Sequence, residues 1–559
     1  MEWDKSFLQY KIINSLEKVL PSQTPSETGL AKSVFKNERL NFQIALKNTF
    51  PQALSGFKIK AKGGLAEFIA IRKVDFVPVG YTIPENIVDD YYIDNAPGLF
   101  PDVLREIDSF GIVLPCGQWR SVWISIYAEQ GLPVGSFDTC FEIFSHQGEK
   151  VGEVIYSLEV LDADLPQIEI PITNWIHYDC IASKHGVKLF SKKFYRVFAE
   201  YLKAYVDAEN NMLLVPIFTP PLDTKVGVER RTAQLIKVEV VNGGYQFDFT
   251  ELENFIRFAL QHGIKYFELS HLFTQWGGEY CPKIIAKTVE GEKQIFGWDT
   301  SSHGEAYKDF LRSLLPLLCQ TLERLGVRDK TFVHLTDEPR LKHVESYRQC
   351  YEFVKPYIGN MPILDALSDY EFYQQGLIDC PVPKTCAYDN VFAKQGITGT
   401  FVYYCWYPSD NYYSNRFINM PSQRTRILGI QLYANKSKGF LHWGFNFYNS
   451  KLSVMEIDPY ATTDGAGFFP SGDAFIVYPK RDGVVYSLRL ELMKECFQDY
   501  KALKLLECLV GQESVNKILD EFGVKGFHEY PRSTQAHLAF REYVNERIIQ
   551  AKSYKKKLD

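Results

Sequence analysis

Polar and apolar positions alternate through the first 165 or so residues and then give way to apolar runs set between amphipathic stretches. Residues 40–46, 56–61, 121–127 and 137–144 carry the period of two expected of half-buried strands, and 131–135 reads as a turn. Strands spaced in this way predict a β-sandwich. Residues 81–104, rich in Asp, Pro, Gly and Asn, read as a long loop, and 161–166 as a linker.

Beyond residue 166 the order becomes strand, then helix, repeatedly. Apolar runs at 172–178, 211–218, 265–270, 332–335, 362–367, 385–388, 400–405 and 439–445 predict eight strands. Helical periods fall at 193–207, 249–262, 305–325, 344–357 and from 488 onward. The expected fold class is therefore α+β and multidomain. It comprises a β-sandwich over 1–165, a (β/α)8 TIM barrel over 166–508 and a helical extension over 509–559. A chain of 559 residues is too long for one core in any case.

Composition narrows the function. The net charge is −6 and there is no basic block, which argues against a nucleic-acid partner. No apolar run is long enough for a membrane span. The first residues lack a charged segment followed by an apolar one, so a cytoplasmic protein is expected, or a secreted one whose leader has been removed. The 11 cysteines are scattered, without CxxC; Cys380 and Cys386 lack companion ligands, so no metal is expected. Glycine-rich phosphate loops are absent, and no cofactor is expected. Aromatic residues make up 15% of the chain, which suits sugar faces as well as a large core. Nothing in the chain specifies an oligomeric state.

Strand four ends in two adjacent carboxylates, Asp337 and Glu338, followed by Pro339. The C-terminal ends of barrel strands are where such enzymes keep their chemistry, and like charges this close push their pKa values apart. A double-displacement glycosidase needs a second carboxylate as nucleophile. Residues 403–408, after strand seven, and 442–446, after strand eight, contain none. Asp389, after strand six, is the alternative candidate. Without a protein nucleophile, the substrate can supply one: the carbonyl oxygen of a 2-acetamido sugar attacks its own anomeric carbon. Asp337 would then hold the acetamido N–H and Glu338 would protonate the leaving oxygen. Tyr403 and Trp443 are candidate walls of the sugar pocket, and Asn415 and Asn446 candidate hydrogen-bond partners of sugar hydroxyls. His271, after strand three beside Trp276, is a candidate substrate contact. Arg489 and Glu491 are expected to form a structural ion pair.

These residues fall in an order that resembles the domain family of unknown function 4091, related to glycoside hydrolase family 123. The similar features are Thr336 to Pro339, Tyr403 and Cys405 with Pro408, Asn415 to Asn419, Arg426, Gly439 to Asn446, Phe475 to Pro479, Ser487 to Leu492, and Asp499 with Tyr500. The resemblance spans most of 170–505. It implies a retaining, exo-acting β-N-acetylgalactosaminidase that works through the acetamido group, with Asp337 and Glu338 as its acid pair and a 2-acetamido glycoside or glycan as substrate. The chain departs from the pattern at Ala474 and at Cys496 to Gln498, where glycines are usual. Trp406 and Tyr407 stand where smaller residues are usual, which would reshape the sugar pocket. Two alternatives stay open: a glycosidase of other specificity with a protein carboxylate as nucleophile, and a non-catalytic carbohydrate-binding protein.

Overall fold

The structure is a computed structural model that describes residues 3–26, 29–83, 89–127, 131–404 and 412–558. The chain is mixed α and β and multidomain. Trp406, Tyr407, Cys405 and Pro408 lie outside the described residues.

Two antiparallel-rich sheets pack face to face in the N-terminal part. Leu40–Asn48 pairs with Leu8–Asn14 on one side and Trp119–Ile126 on the other, and Ile69–Val79 and Gly98–Glu106 continue that sheet. Gly135–Phe144, Lys150–Leu161 and Leu54–Gly63 form the second sheet. The alternating apolar positions meet between them: Phe42 and Ile44 from one sheet bury against Phe141 and Ile143 from the other.

Two findings correct the sequence reading here. Residues 98–106 form a strand rather than the end of a long loop. Pro101 hides it, since proline withholds a ladder hydrogen bond; the chain accommodates it where the register shifts between Asp75 and Phe76. The first sheet also recruits later chain. Gly483–Ser487 pairs with it at Val103 and Leu104, and Val477–Lys480 follows.

The outer face of this sheet is buried as well, because the helix Leu488–Val510 lies across it. Asn41 donates to Glu495 at 2.9 Å, and Arg489 pairs with Asp102 through Nε (3.0 Å) and an η nitrogen (2.9 Å). The expected Arg489–Glu491 pair is not made. Residues two apart on a helix point in different directions, and Glu491 instead receives Arg39 and Arg72.

Eight short strands follow in parallel. In chain order they are Ile172–Asn174, Met212–Val215, Tyr266–Leu269, Thr331–Val333, Leu364–Ala366, Cys380–Val382, Phe401–Tyr403 and Gly439–His442. Ladders join two to three, three to four, five to six, seven to eight and eight to one. The remaining joins are single: Ile172 with Asn211, Val333 with Ile363, and Lys384 with Tyr403. Helices Lys192–Asp207, Thr250–Gln261, Glu305–Arg324 and Val344–Ile358 separate the early strands. The sixth strand is Cys380–Val382; the expected 385–388 is helical, Thr385–Ala387 running into Tyr388–Phe392. Insertions after strands two and three build a separate four-stranded sheet from 237–248 and 284–296. Among the described residues no helix is long and apolar enough to cross a membrane.

Candidate active site

Strand four is followed by a turn that its neighbours hold from both sides. The chain after strand three runs beside it: the N–H groups of Leu272, Phe273 and Trp276 donate to the carbonyls of His334, Leu335 and Asp337 at 3.1, 2.9 and 2.8 Å. On the other side the N–H of Glu338 donates to the carbonyl of Ala366 at 3.0 Å. Glu338 has a φ of +46°, a left-handed conformation costly for a non-glycine residue and kept only where neighbours impose it. Asp365 completes the clamp, accepting from the N–H groups of Leu335 (3.1 Å) and Thr336 (3.4 Å) and from the Tyr347 hydroxyl (2.6 Å).

Under the acid pair lies a wholly buried polar layer. His334 Nε2 is 2.7 Å from Glu268 Oε2, and Nδ1 is 3.2 Å from Asp365 Oδ1. Burial alone would depress this imidazole, but hydrogen bonds to Asp365 and Glu268 lift it to about 9. Glu268 also accepts from Thr173 and from the Trp175 indole. His271 stacks on His334 with ring centroids 4.4 Å apart. Burial, then the His334 charge, holds it well below the usual histidine range. Neither of its ring nitrogens has a hydrogen-bond partner among the described residues. His271, His334 and Asp365 bring one ligand atom each within 4.8 Å. A cation could settle there only if His334 gave up its proton, because both its nitrogens already face carboxylates.

Asp337 and Glu338 are themselves half-buried. Burial, then the charge of Glu338, pushes the Asp337 carboxyl well above the usual range, against the pull of His334. The Tyr403 hydroxyl, at the end of strand seven, donates to Glu338 Oε1 at 3.3 Å. Trp443 follows strand eight; its indole N–H donates to Asp473 at 3.0 Å, and its ring joins the apolar cluster of Trp175, Tyr403 and Leu441. Of these candidates, Tyr403 bonds Glu338, Trp443 packs on the cluster that holds Tyr403, and His271, expected as a substrate contact, is instead wholly buried against the His334 ring.

Three other candidates are engaged elsewhere. Asn446 spends its amide on the main chain of His177, accepting at 2.9 Å and donating at 3.1 Å. Asn415 is buried and accepts from the N–H of Arg416 at 2.7 Å. Asp389 lies on the helical turn after strand six, where it accepts from the N–H of Phe527 and from His528, both at 2.8 Å. Sequence reasoning missed Glu268, His334 and Asp365. Their signal was present, since each is a charged or ionisable residue inside an apolar run on consecutive strands.

An acid pair on one turn, one acid above a buried imidazolium and the other held by a tyrosine, is an arrangement for moving a proton beside a half-buried carboxyl group. The model of the glycoside hydrolase 123 catalytic domain matches residues 175–506. The chain belongs to glycoside hydrolase family 123 and is a glycosidase. Among solved structures it is similar to a family 123 glycoside hydrolase from Clostridium perfringens, described for glycolipid glycan hydrolysis. That match has a TM-score of 0.71 and 15% identity, over 99% of this chain and 98% of that one. A β-galactosidase from Bacillus circulans matches at a TM-score of 0.33 and 10% identity, over 63% of each chain. No curated protein matches.

Proposed function

We propose that the protein is a retaining, exo-acting β-N-acetylhexosaminidase, β-N-acetylgalactosaminidase-like, in which the substrate's acetamido group is the nucleophile. The observation that carries this is the adjacent pair Asp337–Glu338 on the turn after strand four, within a family 123 catalytic domain. Parallel ladders within the eight strands, with single contacts spanning the gaps between them, support reading residues 166–508 as a (β/α)8 barrel with the pair at its C-terminal face. A β-sandwich domain over 1–165 and a helical extension over 509–559 complete the reading.

In this mechanism Glu338 protonates the glycosidic oxygen as the acetamido carbonyl oxygen attacks the anomeric carbon. The C–O bond to the aglycone breaks and an oxazolinium ion forms. Asp337 accepts the acetamido N–H and balances the positive charge that develops on it. Burial and the charge of Glu338 hold the Asp337 carboxyl well above the usual range, with the His334 imidazolium pulling against them; an acetamido N–H donated by the bound substrate favours the ionised form this step requires. Glu338 then takes a proton from the water that opens the oxazolinium, and the sugar leaves with its β configuration. Tyr403 holds Glu338 in place, and Tyr403 and Trp443 wall the sugar. The engagement of Asp389 by Phe527 and His528 argues against it as a nucleophile.

The test is a panel of aryl β-glycosides of N-acetylgalactosamine, N-acetylglucosamine, galactose and glucose, with a thiazoline mimic of the oxazoline as inhibitor. Turnover of the acetamido sugars alone, with tight inhibition by the thiazoline, is expected. Turnover of plain galactosides or glucosides without inhibition would overturn the acetamido mechanism.

A further inference from the structure

The loops around the acid pair hold five non-glycine residues in the left-handed region: Asp223 (φ +39°), Trp276 (+61°), Glu338 (+46°), Leu452 (+56°) and Ser453 (+55°). Each such residue stores strain that only surrounding bonds maintain. Here they are bonded into one collar. Gln275 accepts from the N–H of Asp223 at 2.9 Å and donates to the carbonyl of Thr224 at 3.3 Å. The N–H of Leu452 donates to the Asp223 carboxylate, and the Ser453 hydroxyl to the Asp223 carbonyl, both at 2.8 Å. Trp276 closes the collar through its N–H to Asp337.

Asp223, Glu338, Leu452 and Ser453 are half-buried, whereas Trp276 stands out into solvent: the residue is 42% exposed. Its ring makes no aromatic contact among the described residues. The two glycines after it explain the exposure. A Cβ on Gly277 would stand 2.8 Å from the His343 ring, and one on Gly278 2.9 Å from Thr336. The loop backbone therefore lies flat against the strand-four turn, and the indole is its free part. Asp223 is partly buried beside it. Burial, with a contribution from the Glu338 charge, raises its carboxyl to about 6, which places it within the electrostatic reach of the acid.

We propose that Trp276 is the stacking platform for the leaving sugar, and that Asp223 accepts a hydrogen bond from one of that sugar's hydroxyls. A pyranose offers a C–H face to an indole and hydroxyls at its rim to a carboxylate. This rests on the glycosidase reading above and extends it from the cleaved sugar to the aglycone. The protein is then built for a glycan acceptor rather than a small alcohol.

The experiment compares two substrates of the full-length protein. One is a disaccharide with a terminal β-linked N-acetylgalactosamine on galactose. The other is the corresponding 2-acetamido glycosyl fluoride, whose leaving group has no face to stack. In Trp276→Ala, kcat/KM for the disaccharide is expected to fall about tenfold or more beyond any fall for the fluoride, the worth of one stacked ring. Trp276→Phe should recover most of it. Asp223→Asn should also penalise the disaccharide selectively. Equal falls on both substrates, or no fall on either, would overturn the inference while leaving the glycosidase reading intact. A wild-type protein that cleaves neither substrate would overturn both.

Discussion

His334 Nε2 lies 2.7 Å from Glu268 Oε2, and both side chains are wholly shielded from solvent. With Asp365 on its other nitrogen, the ring keeps its proton to about pH 9, against about 6.5 in an unfolded chain. The native state binds the extra proton. Its stabilising contribution is therefore complete below about pH 6.5 and is lost as pH rises through about 9. Lys18, buried and lowered to about 7, acts in the opposite sense over much of that range, so the informative quantity is a difference. In urea denaturation, wild type should exceed His334→Gln by several kcal/mol at pH 6.5. That margin should shrink steadily toward pH 9, at up to about 1.4 kcal/mol per pH unit. A margin independent of pH would mean that the imidazole is neutral.

The acid side should behave differently. His177 and His442 are wholly buried and lowered to about 3 and about 4, chiefly by burial. An unfolded chain gains protons on these groups below about pH 6.5 while the native protein does not, so stability falls as pH drops. Replacing either with glutamine should flatten that acid limb by roughly one proton, read from the slope of unfolding free energy between pH 6.5 and 4.5. An unchanged slope in both variants would contradict neutral burial.

The two acids should separate by leaving group. Glu338→Gln removes the proton donor, so substrates with poor leaving groups should lose about 10²–10⁴-fold in kcat while activated aryl glycosides suffer less. Asp337→Asn should cost both kinds of substrate about 10²–10³-fold, because charge on the acetamido nitrogen is left unbalanced. Steady-state kinetics on a series of leaving groups tests this directly. Mild and equal losses from both substitutions would reverse the assignment of roles.

Asp102 and Arg489 join the N-terminal sheet to the helix that crosses it, and both are fully buried. Asp102→Asn leaves the guanidinium in the interior without its counter-charge. A loss of about 3–5 kcal/mol is expected, read as a lower denaturation midpoint. A loss under about 1 kcal/mol would show that water reaches the pair.

Seven of the eight strands were legible because each lies in a largely apolar run. Strand six was not, because prolines at 381 and 383 read as breakers while the apolar Cys386 and Tyr388 nearby read as a strand. Pro101 hid a strand in the same way. Asp337 and Glu338 stood out because they end an apolar run. Glu268, His334 and Asp365 did not, because each lies alone within or just after its own strand, and only the pairing of strands three, four and five makes them one layer. Partner choice was equally hidden: Arg489 is two residues from Glu491 in sequence, yet it finds Asp102, 387 residues away along the chain. Periodicity reports which face is buried, whereas these contacts depend on what the fold brings from elsewhere.

The source of the nucleophile gives the sharpest kinetic test. Within a family 123 catalytic domain, Glu338 has the Tyr403 hydroxyl as its neighbour across the strand ends, and strand seven carries no carboxylate from Phe401 to Tyr404. Glu268 and Asp365 are bound to His334 in the buried layer, and Asp389 is held by Phe527 and His528. The proposed attack therefore comes from the sugar's own acetamido oxygen. Replacing the N-acetyl group by mono-, di- and trifluoroacetyl withdraws electrons from that oxygen and weakens it as a nucleophile, while leaving the aglycone and the acid unchanged. With one aryl leaving group, kcat should fall steeply and monotonically along the series, and the first product seen by NMR should be the β anomer. A flat series, together with a covalent glycosyl–enzyme adduct mapped by mass spectrometry to an aspartate or glutamate, would assign the attack to the protein instead.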